Sequence, residues 1–180
     1  MCAGLATAVV VLSAMAGCAE QKKAPPLPPL DGLLAFKEPA RCLQADDFER
    51  LSASVVTFGG TPWDITVLPG VLQVPEAYRS RFGETDVEIL GDKYRARVPL
   101  SGTWRGLKVR EIAVGGWLGL KDRRWIGFDA PYEDVLREAN AAGFKLGRAG
   151  KRVDGEGPLR VVIAVEKDPS GGALLSCEVG

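Results

Sequence analysis

Between residues 86 and 98 the chain runs DVEILGDKYRARV, and no other stretch restricts the fold as much. Val87 and Ile89 alternate with Asp86 and Glu88, and Tyr94, Ala96 and Val98 alternate with Lys93, Arg95 and Arg97. A period of two puts the apolar set on one side of a strand and the charged set on the other. Gly91-Asp92, with glycine first, suits a two-residue type II′ connection, so the stretch predicts a β-hairpin over 86–90 and 93–99. One hairpin is marginal in water and needs neighbours and a covering layer. Further strands are expected at 63–68, 106–114, 123–129, 159–167 and 173–179, with DPSGG as the loop between the last two. Short turns between neighbouring strands make the pairing antiparallel. The expected fold class is α+β: an antiparallel sheet of about five to seven strands with two or three helices packed on one face.

Two of those helices have clear sequence signals. Asp46 to Val56 opens with Asp46 and has Glu49 three residues on, a capping-box variant with aspartate as cap, and Phe48, Leu51 and Val55 share one face. In DAPYEDVLREANAAGF, Pro131 suits a first turn, and Tyr132, Val135, Leu136 and Ala139 follow helical spacing. Gly143 stops this helix, and Phe144 is placed for the apolar contact of a Schellman cap. A short third helix is expected near Pro75.

The N-terminus carries an address. Leu5 to Ala16 are apolar or small except for Thr7 and Ser13, which matches the h-region of a signal peptide and is too short for the roughly 20 residues that span a bilayer. The tetrapeptide Met15-Ala16-Gly17-Cys18 resembles the lipobox of bacterial lipoproteins. That resemblance implies that residues 1–17 are removed and that Cys18 is acylated, becoming the first residue of a membrane-anchored mature chain. Ala19, where aspartate would favour inner-membrane retention, implies the outer membrane. Two other readings stay open: Ala14-Met15-Ala16 is also a site for ordinary signal cleavage, which would give a soluble secreted chain, and the apolar segment would suit a buried helix of a cytosolic protein.

After Cys18 comes AEQKKAPPLPPL, proline-rich and without aromatics. Extended polyproline II at about 3.1 Å per residue makes residues 18–30 a tether of some 30–40 Å. PPLPP also resembles a ligand for proline-binding modules, but its place beside the anchor suits a spacer. Residues 31–180 then form a single domain. With Cys2 removed and Cys18 lipidated, Cys42 and Cys177 remain as an even pair in an oxidising compartment, where a disulfide is expected.

The chain has no histidine, which removes Ser-His-Asp and Cys-His catalysis and imidazole metal sites. No phosphate-binding glycine motif, GxSxG or EF-hand pattern occurs, so no cofactor and no metal site is expected. Carboxylates are left as catalysts, and Asp46/Asp47, Glu84/Asp86/Glu88 and Asp129/Glu133/Asp134 are the pairs a glycosidase-type hydrolase would need. Two of these groups sit at helix starts and the third largely on a solvated strand face, so a binding domain is the better expectation and a catalyst or a purely structural envelope protein the alternatives. Lys and Arg total 23 against 23 Asp and Glu; this balance, and export, argue against a nucleic-acid partner.

Charge is nevertheless uneven. Residues 92–125 hold nine basic residues against three acidic ones, a net +6, together with Trp104, Trp117 and Trp125. Lys93, Arg95 and Arg97 should share one strand face, as should Lys108 and Arg110. Either this is an ordinary wet face over tryptophans that fill the core, or it is a surface for an anionic envelope component or an acidic protein.

Overall fold

The computed structural model describes residues 27–61, 64–120, 122–156 and 160–180. Cys18, the apolar leader and most of the spacer fall outside them. Its elements are β1 (Phe36–Glu38), β2 (Leu43–Gln44), α1 (Asp46–Ser54), β3 (Val56–Thr61), β4 (Asp64–Pro69), α2 (Glu76–Arg79), β5 (Asp86–Leu90), β6 (Lys93–Trp104), β7 (Leu107–Trp117), β8 (Arg123–Phe128), α3 (Tyr132–Ala141), β9 (Lys151–Asp154), β10 (Val161–Lys167) and β11 (Ala173–Val179).

Seven strands form one antiparallel sheet in the order β5-β6-β7-β8-β11-β10-β9. Strand β8 pairs with β11 rather than β9, because α3 carries the chain past β11 and β10 to the far edge, from which β9, β10 and β11 return. Small two-stranded sheets, β1-β2 and β3-β4, stand beside it. The molecule is thus sheet-rich, with three short α-helices and one 3-10 turn (Pro39–Arg41) among the described residues.

The 86–98 hairpin forms as its alternation requires. Leu90 pairs with Lys93, and Gly91 takes φ +67° at the first turn position, as a type II′ turn demands. Strand β6 does not stop at Pro99 as expected but continues to Trp104. Its register with β7 shifts between Pro99 and Gly102, and such an irregularity is where a residue without an N–H is tolerated in a strand. The next turn, Arg105-Gly106, has φ of +49° and +80°, the signature of type I′.

Helix α3 ends as expected: Gly143 has φ +101°, its N–H donates to the Asn140 carbonyl, and the Phe144 N–H donates to the Ala139 carbonyl. Pro131, however, sits just before the helix in an extended conformation. Helix α1 also departs from expectation. Ala45 occupies the cap position, Asp46 makes no capping bond, and its carboxylate meets Lys37 instead. The helix ends at Ser54, and the β-branched run Val55-Val56-Thr57 leads into β3, a strand hidden in the sequence by Gly59-Gly60.

The inner face of the sheet, with Ala96, Val98, Ile112, Ile126, Ile163 and Leu175, is buried in a single core. Phe36 packs edge-on against Phe48 of α1 and Phe144 after α3, joining the two longer helices over that core. Cys42 and Cys177 are bonded there, with Cα atoms 6.0 Å apart across 135 residues of sequence. Closing so long a loop is worth up to about 5 kcal/mol in the chain-entropy account. The end of the proline-rich stretch belongs to the packed body too. The Leu30 N–H donates to the Thr103 carbonyl at 2.6 Å, the Thr103 N–H donates to the Pro28 carbonyl at 2.9 Å, and Leu30 is wholly buried in the space that a side chain at Gly102 would need.

Candidate functional site

The opposite face of the sheet is where the charged side chains of the alternating strands emerge. On β6, Tyr94, Ala96 and Val98 are buried, while Lys93, Arg95 and Arg97 project together on the other side. Lys108 and Arg110 of β7 flank buried Val109, at the other end of the strand pair. Lys93 pairs with Trp117 and Thr103 with Lys108, ten residues along β6, so those two lysines are roughly 30 Å apart. The groups meet between them: Arg95 and Arg110 both reach Glu111 Oε1, at 3.7 and 3.8 Å. They form a continuous stripe along the strand pair, with the Glu111 carboxylate set between its two halves.

Cross-strand acids divide the charge further. Arg97 reaches Asp86 at 3.0 Å and Glu88 at 3.8 Å, both on β5. Lys108 meets Asp129 at 2.7 Å, and Arg110 bonds the Asp168 carboxylate and the Gly171 carbonyl. Burial works against the charge of Asp168. The backbone N–H and hydroxyl of Ser170 and the Arg110 guanidinium outweigh it and hold the carboxyl below its ordinary value. Arg123 of β8 reaches Glu166 at 3.0 Å and Glu178 at 4.0 Å. These acids come from β5, β10, β11 and the β8–α3 and β10–β11 connections, so reading residues 92–125 as a block of net +6 misses them.

A trough of about 360 Å³ lies at the β5–β6 turn end of this face. Glycine makes its floor. Any side chain at Gly115 would lie 2.9 Å from the Trp125 ring, so the glycine lets the indole lie flat along the sheet. The guanidinium groups of Arg95 and Arg123 stand 4.9 and 5.6 Å from that ring, and Lys93 Nζ stands 4.5 Å from the ring of Trp117. Trp125 is 9% exposed and Trp117 48%. Of the three tryptophans in the basic segment, only Trp104 fills the main core.

Hydrogen bonding in the trough is incomplete. The Trp125 Nε1–H and the Arg95 Nε–H are buried and have no acceptor among the described residues. The Tyr94 hydroxyl is likewise buried without a partner, but its ring packs on the core side of the sheet, edge-on against Phe58. Burying an unpaired polar group costs about 1–3 kcal/mol, so two donors at one open trough are a place for a molecule that supplies acceptors. Three cations, Lys93, Arg95 and Arg123, and three acids, Asp122, Glu166 and Glu178, line it. Burial raises the Asp122 carboxyl above its ordinary value, and the Glu178 charge adds to this, against Lys93 and Arg123.

No group of three or more metal-ligating side chains occurs among the described residues, and no helix there is long and apolar enough to cross a membrane. Comparison with family models, with curated proteins and with solved structures finds no match for this chain.

Proposed function

We propose that this chain is an outer-membrane lipoprotein, anchored through acylated Cys18 and facing the periplasm, whose α+β domain binds a component of the cell envelope. The binding site is the trough on the open face of the sheet. The observation that carries this reading is the pair of buried, acceptor-less donors, Trp125 Nε1–H and Arg95 Nε–H, on two residues that line a cationic and aromatic trough. A merely solvated sheet face has no reason to strand donors beneath its own arginines. Binding is favoured over hydrolysis because the two glutamates that converge there do so on the Arg123 guanidinium, which engages both.

The test uses the full chain, with and without Cys18→Ser, and a triple variant Lys93→Gln, Arg95→Gln, Arg123→Gln. Fatty-acid labelling should mark the wild type and not Cys18→Ser. The triple variant should stay folded, losing no more than about 1–2 kcal/mol, since partly exposed pairs and ring contacts are each worth about 1 kcal/mol or less. It should lose most of its capture of solubilised envelope material. Equal labelling of Cys18→Ser removes the anchor, and undiminished capture by the folded triple variant removes the site and leaves a structural envelope protein.

A further inference from the structure

From the balance of charge and the stranded donors we infer that the trough takes a saccharide, a hydroxylated ring carrying at most one carboxylate, rather than a polyanion. The inference rests on the trough being the binding site and specifies its ligand. A polyanion would meet Asp122, Glu166 and Glu178 beside the three cations, so its phosphates would be repelled as well as attracted. A sugar ring presents hydroxyl groups that both donate and accept, and the Arg123–Glu166 pair offers both roles side by side. The half-exposed indole of Trp117 at the rim is an apolar plate for the C–H face of such a ring. A ring oxygen or carbonyl would satisfy the Trp125 Nε1–H. The volume of about 360 Å³ lies at the small end of the range for small-molecule sites, enough for one or two rings. A peptide is less suited, because β6, β7 and β8 lie inside the sheet and have both backbone edges paired.

Intrinsic fluorescence and calorimetry with the full chain would read this directly, using a neutral N-acetylated amino-sugar oligomer, the same oligomer carrying one carboxylate, inorganic polyphosphate and an acidic peptide. One or both sugars should bind and change tryptophan emission, with affinity little altered between low and physiological salt. Trp125→Phe keeps a ring but removes the donor, so it should retain stability and bind the sugar about three- to tenfold more weakly. Trp117→Ala should weaken binding without unfolding the chain. Salt-sensitive binding of polyphosphate or of the peptide, with none of the sugars, overturns the inference while leaving the trough as the site. Sugar binding that neither tryptophan variant changes overturns it also. Loss of envelope capture in the triple variant, which tests the site itself, is a separate measurement.

Discussion

Arg110 gathers its partners where β7 bulges: the Asp168 carboxylate, the Gly171 carbonyl, and at longer range Asp129 and Glu111. Gly127 on the neighbouring strand leaves the space in which Glu111 and Arg110 lie, since a side chain there would meet Glu111 at 2.7 Å. Asp168 is 10% exposed and has its carboxyl held below the ordinary value of 3.8, so it contributes stability that is present above that value and is lost as pH falls through its lower folded value. Asp168→Asn should therefore cost about 1–2 kcal/mol at pH 7. In urea melts the gap to wild type should close as pH falls from 4 toward 3, and a gap that stays constant with pH would show that the carboxylate charge is not the cause. Single residues were legible in the sequence where the signal is local. Cys42 and Cys177 followed from counting, and the shared side of Lys93, Arg95 and Arg97 followed from alternation. The partners of Arg123 were not legible, because Glu166 and Glu178 join it only through strand pairing across 43 and 55 residues of chain.

At the scale of elements, what could be read was set by how much of each element's signal lies inside it. The β5–β6 hairpin carries its alternation and its turn glycine within 13 residues and forms as expected. Strand β3 has only three residues of strand character before Gly59-Gly60, and its partner β4 completes it from outside. The end of the proline-rich tether is the harder case. Pro28 and Pro29 have the same composition as the residues before them, yet they lie along β6, and Leu30 fills the core above Gly102. Nothing local distinguishes a free proline from a docked one. Leu30→Ala should thus destabilise the chain by about 2–5 kcal/mol, as a buried leucine does, whereas the same change at half-exposed Leu27 should cost little. Equilibrium denaturation of both variants checks this, and equal, small effects would return residues 28–30 to the spacer.

The whole molecule has two unlike faces. One carries the helices, the core and the Cys42–Cys177 bond that ties the start of the domain to its last strand. The other is open, and its long charged side chains lie over small residues such as Ala113, Gly115, Ala164 and Ser176, which are buried beneath them. The docked segment at Leu30 joins β6 near Thr103, at the end of that strand opposite Lys93. A tether leaving there would hold the trough on the side of the domain away from the anchor. The most direct test of the account is a nitrogen-15 NMR titration of the soluble Cys18→Ser chain with solubilised envelope material. The Trp125 indole N–H and the amides of Arg95, Gly115 and Arg123 should shift together, while the Trp104 indole on the opposite face stays in place. Shifts confined to α1, α3 and the core side, or none at concentrations that support capture, would contradict it.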